Sequence, residues 1–370
     1  MIRGVASATR QAPPDDVEVD PPDREREQEE DARRQHQPAE DPFPLDEAGA
    51  GDRAFCTGGD VKAALSLIPI TKPVYERYRA MLEAEGAALC ARSLDDTLAL
   101  LRETGLEDQI SEQGCLSLYT DEAEFKADRD HIEILERFGF PHEVIGRQAI
   151  KALEPELSDK IGMAVLFPQN RSIKDPYKLV LALVERFTAL GGRVDRGEVT
   201  GFTRGAALSE VVLKDGRRLP ADEVVICAGA YSARLAAMLD EPIPLETERG
   251  YHTQIMAPGI TMKHSIIWPA RAFMVTPTAG GIRVGGTVEM AGLDAAPDYR
   301  RSRITVKRAR EALPNLRCED FTEWMGHRPA FPDTVPVMSQ SGKTKGVFYA
   351  TGHGHLGLTY AATNARLMAD

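Results

Sequence analysis

Cysteine is scarce in this 370-residue sequence and forms no pattern. The five cysteines, Cys56, Cys90, Cys115, Cys227 and Cys318, contain no Cys-x-x-Cys pair and are odd in number. Neither a disulfide framework nor a structural zinc site is therefore expected, and a reducing compartment fits better. No run approaches the roughly 20 apolar residues that a membrane-spanning helix needs. The N-terminus lacks the apolar core of a secretory signal. A basic excess is missing as well. The formal net charge is −12, the wrong sign for non-specific nucleic-acid binding. The expected location is the cytoplasm or a peripheral position at the inner membrane, with no nucleic-acid partner.

What is present divides unevenly. Residues 1–50 hold fourteen Asp and Glu against six Arg and no Lys, so they carry −8 of the −12. Residues 1–54 contain seven prolines, and Phe43 is their one aromatic residue. Such a segment buries too little apolar area to offset the entropy of ordering, so a disordered leader is expected. The rest of the chain is long enough for two domains.

Helical periodicity appears over residues 62–89, with Pro69 and Pro73 marking an interruption or a start. A separate helix is expected over 93–102, with Ser93 as its N-cap. A strand over 114–119, a helix over 122–138, a helix over 147–153 and a strand over 164–167 follow. Asp175-Pro176 supplies an N-cap and a first-turn proline for a helix over 177–190. The period then changes to two, with Asp215-Gly216 as a hairpin turn. Residues 223–228, Glu-Val-Val-Ile-Cys-Ala, read as a strand buried on both faces. A helix over 232–239 follows it. Residues 245–290 are rich in strands, with Gly280-Gly281 as a turn. A charged helix spans 299–313, and a last strand over 347–350 leads into a glycine turn and a helix.

Three segments are able to carry chemistry. Gly352, Gly354 and Gly357 match G-x-G-x-x-G, but too little chain follows for a dinucleotide-binding βαβ unit to start there. The turn still opens a helix, and bare backbone N–H groups at a helix start attract anionic or electron-rich groups. His353 and His355 lie inside it. The second segment is the strand ending at Ala228-Gly229, where a ligand can approach the backbone. The third is Trp324-Met325-Gly326-His327-Arg328-Pro329-Ala330-Phe331-Pro332-Asp333, which holds Arg328 rigidly between prolines and aromatics. A fixed guanidinium there clamps a carboxylate, lies beside an aromatic ring system, or pairs with Asp333.

In their order these segments resemble the D-amino-acid oxidase superfamily of flavoproteins, nearest its bacterial D-amino-acid dehydrogenase branch. The resemblance covers residues 65–370. It rests on Leu153-Glu154-Pro155-Glu156-Leu157, Phe167-Pro168 to Asp175-Pro176, Val224 to Ala230, Glu248-Arg249-Gly250-Tyr251, Val284 to Glu289, Gly326 to Asp333, and Thr351-Gly352-His353-Gly354. It implies an α/β, α+β mixed architecture: an incomplete FAD/NAD(P)-binding Rossmann-like domain and an antiparallel-sheet substrate domain. The implied division is residues 1–54 leader, 55–150 helices and the start of the substrate domain, 151–243 FAD-binding, 244–323 substrate, and 324–370 FAD-binding. It also implies non-covalent FAD, since no cysteine stands at the attachment position of the sarcosine-oxidase branch.

The implied reaction is hydride transfer from the CH–NH2 group of an amino acid or amine to flavin, with a quinone or other carrier taking the electrons. Val199, Ala228 and Gly229 would lie near the adenosine half of FAD. Gly352, His353, Gly354, His355, Leu356 and Gly357 would pass over the flavin, and Arg328 would sit beside it. Tyr251, His252, Arg271 and His353 would serve the substrate pocket.

One departure matters. The family opens with a strand, G-x-G-x-x-G and a helix, and nothing before residue 65 matches. That unit would also supply a strand beside residues 164–167 and 224–228. Two accounts stand: an upstream reading-frame error over residues 1–55, or a truncation. Either predicts weak FAD binding and aggregation of this chain alone. The alternative reading is an inactive remnant that does not bind FAD.

Overall fold

The computed structural model describes the backbone of residues 72–370 and side chains from residue 79 onward. The expected leader over 1–54, and residues 62–71 of the first helical pattern, lie outside the described residues.

The first helix, α1 (Lys72–Thr104), is continuous. Pro73 sits in its first turn, where a missing N–H costs nothing. Ser93 is not an N-cap. Its hydroxyl donates to the carbonyl of Cys90 at 2.8 Å within the helix. No glycine or proline separates the two expected helices, and contacts with the C-terminal helix hold the whole length straight. Thr363 donates to Asp96 at 2.8 Å, and Cys90 Sγ lies 3.3 Å from the Tyr360 hydroxyl.

Next come β1 (Ile110–Ser111), β2 (Cys115–Tyr119), α2 (Glu122–Ala127) and α3 (Arg129–Arg137). The single helix expected over 122–138 is broken at Asp128, whose carboxylate accepts from the Tyr119 hydroxyl at 2.7 Å. Then follow β3 (Glu143–Gly146), α4 (Arg147–Leu153), β4 (Met163–Phe167), β5 (Ser172–Ile173) and α5 (Pro176–Ala189). Asp175 caps α5 by accepting from the Lys178 N–H at 3.0 Å. Three strands, β6 (Val199–Arg204), β7 (Leu208–Leu213) and β8 (Arg218–Pro220), form a small antiparallel sheet.

The chain continues through β9 (Val224–Ile226) and α6 (Ser232–Met238). It then builds the strands β10 (Glu246–Ile255), β11 (Ser265–Trp268), β12 (Phe273–Thr278), β13 (Gly281–Gly285) and β14 (Glu289–Met290). Helix α7 (Arg300–Ala312), β15 (Phe321–Ala330), β16 (Val337–Gln340), β17 (Val347–Thr351) and α8 (Gly357–Ala369) complete it.

A nine-stranded sheet runs β14-β10-β13-β12-β11-β2-β4-β3, with β15 on the free edge of β10. Only β11–β2 is parallel within it. Its buried face carries Leu116, Leu118, Ile255, Ile266 and Val284, packed against Ile150 of α4 and Val306, Ala309 and Ala312 of α7. Leu118→Ala is expected to cost about 2–5 kcal/mol, because the cavity left in a close-packed core cannot collapse fully. Chemical denaturation of the purified variant measures this. A second core joins β9, β17 and α6 through Ile226, Val347, Tyr349, Ala236 and Leu239.

Several sequence expectations change. Strand β4 is flanked by β2 and β3 and presents no open edge. Strand β9 is buried on one face only: Ile226 is 3% exposed, while Val225 is 39% exposed. Its partner β17 lies on one side alone. The β12–β13 hairpin turns at Ala279-Gly280, because Thr278 already pairs with Gly281. Gly281 opens β13 at φ 119°, and a Cβ there would stand 2.1 Å from the Ile255 carbonyl oxygen. The 150/151 division falls inside α4, and 323/324 falls inside β15.

Candidate active site

Two surfaces meet at the glycine turn between β17 and α8. The first is a groove of about 430 Å³ lined by Val225, Cys227, Gly229, Thr351, His353 and Asn364, among others. Parallel strands β9 and β17 end side by side there, each in a left-handed glycine: Gly229 at φ 53° and Gly352 at φ 85°. The Thr351 hydroxyl donates to the Gly229 carbonyl at 3.2 Å, which ties the two turns together. A Cβ at Gly229 or Gly354 would meet nothing within 4 Å, so both present bare backbone to open space. Asn364, on α8, is 4% exposed, and neither its amide nitrogen nor its amide oxygen has a partner. A buried amide left unpaired costs about 1–3 kcal/mol, so this groove is built to receive a polar group.

The second surface is the face of the nine-stranded sheet opposite the core. Strand alternation places Glu248, Gly250, His252 and Gln254 of β10 on it. Trp324, Gly326 and Arg328 of β15 and Arg283 and Gly285 of β13 pair with them in register. Two glycines directly opposite each other, Gly250 and Gly326, make a bare floor. Side chains fold flat onto it. A Cβ on Gly250 would be 2.1 Å from the Arg328 guanidinium carbon, and one on Gly326 would be 2.0 Å from the Trp324 ring. Arg328 donates to the Thr287 carbonyl at 3.0 Å. The His252 ring stacks on Trp324 with centroids 5.1 Å apart.

The electrostatics of this face are cationic. Burial pulls His252 down to about 3, and the positive charges of Arg283 and Arg328 pull it in the same direction. The ring is therefore neutral at neutral pH. Burial also lowers Arg328, with Glu248 acting in the opposite sense. His355 is lowered by burial and then by Arg328, while Glu248 raises it, so the glycine turn brings His355 against the same charges. His353 faces the groove instead, and burial alone lowers it.

Comparison with known proteins identifies this arrangement. Residues 52–370 match DAO, FAD dependent oxidoreductase. A D-amino-acid oxidase of Bradyrhizobium diazoefficiens is 32% identical over 276 residues, 73% of this chain and 65% of that protein. The chain belongs to the DAO family of FAD-dependent oxidoreductases. A D-amino acid dehydrogenase of Sinorhizobium medicae is 31% identical, over 74% of this chain and 66% of its own length. The chain thus spans just under two thirds of these relatives. Among solved structures, a glycine oxidase from Bacillus cereus superposes with a TM-score of 0.67 at 22% identity, covering 76% of this chain and 80% of that one. An L-proline dehydrogenase from P. horikoshii gives 0.66 at 23%, covering 76% and 77%. At that identity they establish the shared mixed α/β fold.

The family's cofactor is FAD, and the groove residues fit it. The bare left-handed glycines Gly229 and Gly354 allow close approach of a flat group, the turn leads into the positive N-terminal end of α8, and Asn364 has an unused amide. Ala228 leads into the Gly229 turn. Val199 opens β6 and does not line the groove. Cys318 lies in the main core.

The substrate candidates do not gather. Of the four, His252 alone lies on the sheet face, beside the flavin candidate Arg328, and His353 faces the groove. Tyr251 points to the opposite face, 1% exposed. Its hydroxyl donates to Glu289 at 2.6 Å and accepts from Arg249 at 2.9 Å and from the Asp298 N–H at 3.0 Å. Arg271 lies beyond β11, 3.3 Å from Glu311 and over the Trp268 ring. Arg328 donates to Thr287, and Asp333 accepts from Val335, so no Arg328–Asp333 pair forms among the described contacts. Tyr251→Phe is expected to cost about 1–3 kcal/mol of stability, since it removes three hydrogen bonds at once, one of them to the buried Arg249. Thermal unfolding measures that loss, and ligand affinity serves as the control.

Sequence reading missed Arg283 and Asn364. A signal existed for Arg283: it is a lone charge between Ile282 and Val284, both core residues. Trp324 opened the third segment, but its place against His252 depends on register with β10.

Proposed function

We propose that this chain carries the substrate face and part of the FAD site of an enzyme that oxidises the CH–NH2 group of a D-amino acid. The observation that carries this reading is the meeting of two surfaces at the turn over Gly352–Gly357: a groove with bare glycine backbone and an orphan amide, and a cationic sheet face. The names of the relatives, D-amino-acid oxidase and D-amino acid dehydrogenase, support the substrate class.

FAD, when bound, supplies the hydride acceptor. The chain's own residues do the rest. Gly229, Gly352, Gly354 and Asn364 hold the cofactor, and the N–H groups at the start of α8 stabilise negative charge placed against them. Arg328, pinned flat on Gly250, fixes the α-carboxylate. His252 and His355, both neutral, add no further positive charge. Two nearby guanidiniums disfavour the substrate's ammonium form, so they favour loss of the amine proton that must precede hydride departure. Trp324 covers the floor and excludes water.

Free thiols at Cys90, Cys115, Cys227 and Cys318 support a cytoplasmic setting. Among the described residues no helix is long and apolar enough to cross a membrane. The relatives' names divide between oxidase and dehydrogenase, so oxygen and a quinone or protein carrier are the two acceptors the assay distinguishes, within amino-acid catabolism.

The test is an assay of FAD-supplemented protein with D- and L-amino acids, following 2-oxo acid and ammonia with either oxygen or a quinone analogue as acceptor. Products from D-amino acids with the quinone analogue support the proposal. Absence of both products with every substrate and acceptor ends it.

The histidine shift has a consequence for stability. His252 sits near 3 in the folded protein and near 6.5 when unfolded. Between those values the unfolded chain binds the extra proton, so stability rises with pH across about pH 3 to 6.5. The slope contributed is at most about 1.4 kcal/mol per pH unit. Urea unfolding at several pH values is expected to show it, and His252→Phe to flatten it.

A further inference from the structure

The cationic face holds one charge more than a simple amino acid uses. Arg328 is provided for: it donates to the Thr287 carbonyl, and the carboxylate of Glu248 acts on it. Arg283 is not. Its Nε is buried without a hydrogen-bond partner, and among the described residues it joins no ion pair. The only carboxylate acting on it is Asp175, which is engaged at the N-terminus of α5. Arg283 is half-buried, and a guanidinium whose Nε is shut off from water without an acceptor is costly, so a ligand that supplies the acceptor is favoured.

Position says which ligand. Arg283 lies directly opposite Gln254, one alternate position along from the Gly285–His252 pair. Gly285 has no side chain, so nothing on β13 stands between Arg283 and the His252 ring. His252 feels both Arg283 and Arg328. The face therefore runs from one guanidinium, past a neutral imidazole stacked on Trp324, to a second guanidinium.

Resting on the amino-acid oxidase reading above, we propose that Arg283 is a specificity residue that selects substrates with a second carboxylate. The α-carboxylate goes to Arg328 and the side-chain carboxylate to Arg283. Gln254 donates to Thr278 at 3.0 Å and so does not compete for the anion.

The chain contains two tryptophans, Trp268 and Trp324. Trp268 is 1% exposed in the core and Trp324 is 46% exposed on this face, so ligand binding is read as a change in Trp324 emission. The probes are glutarate, a dicarboxylate; butyrate, a monocarboxylate; and inorganic phosphate, each titrated into the full chain. Glutarate is expected to bind about 10–100-fold more tightly than butyrate, the value of one charge-assisted contact. Arg283→Gln should bring that ratio to about 1, and Arg283→Lys should retain part of it. Since the Arg283 side chain has no hydrogen bond among the described residues, the thermal midpoint of Arg283→Gln is the check on its folding.

Equal binding of glutarate and butyrate, no binding of glutarate, equal competition by phosphate, or a ratio that survives Arg283→Gln would each overturn the proposal. The oxidase reading has its own readout. If neutral D-amino acids reduce the flavin while glutarate shows no preference, only the Arg283 assignment falls.

Discussion

Arg328→Met is expected to lower kcat/KM for the amino-acid substrate by about 100-fold, the cost of deleting a charged clamp from a desolvated face. The effect should fall mainly on KM, because the carboxylate is held equally in the ground state and the transition state. The geometry makes the prediction sharp. Arg328 lies flat because Gly250 has no side chain, and its contact with the Thr287 carbonyl fixes the fork. Arg328→Lys should recover little, since a lysine ammonium cannot reproduce the planar fork. Steady-state kinetics of the two variants check this, and a loss confined to kcat would argue for a role at the reacting bond.

Gly354→Val is the second large effect, and it acts on the cofactor. Gly354 has φ 52°, and no heavy atom lies within 4 Å of where a Cβ would be. The fold itself has room for the side chain, so the penalty on stability is backbone strain alone, about 1–2 kcal/mol. The branched side chain would stand where the ligand must pass, and FAD affinity should drop by about tenfold or more beyond that strain. Gly352→Val is the contrast. There φ is 85° and the Phe331 ring lies 2.1 Å from the new Cβ, so folding fails along with binding. Titration of FAD by flavin fluorescence, with thermal unfolding of the cofactor-free forms, separates the two. Equal losses of affinity and stability in Gly354→Val would count against the groove as the FAD site.

How much of this was legible beforehand depended on where each feature's cause lies. The start of α5 was readable because Asp175 and Pro176 act on their own helix. The glycine turn at residues 352–357 was readable because left-handed backbone selects glycine locally. Strand β15 was seen only in part, since Pro329 suggested a loop. The proline is tolerated because β15 ladders with β10 on one side and, among the described residues, makes only the isolated bridge Ala330–His353 on the other. The one-sided burial of β9 was invisible, because a Val-Val-Ile run says nothing about what stands against each face. The side of the sheet on which Tyr251 and His252 fall follows from register against β13, about thirty residues away in sequence, and β15, about seventy away, not from either neighbourhood. The same distance hid Arg283.

The central claim is that the groove and the cationic face act together on one amino acid. Anaerobic mixing of the FAD-loaded chain with a D-amino acid tests it most directly, by following the flavin's visible absorbance. The account predicts bleaching that saturates with substrate, is absent with the matching L-amino acid, and weakens in Arg328→Met. Bound flavin that stays oxidised with every D-amino acid, or bleaches equally in Arg328→Met, would contradict it.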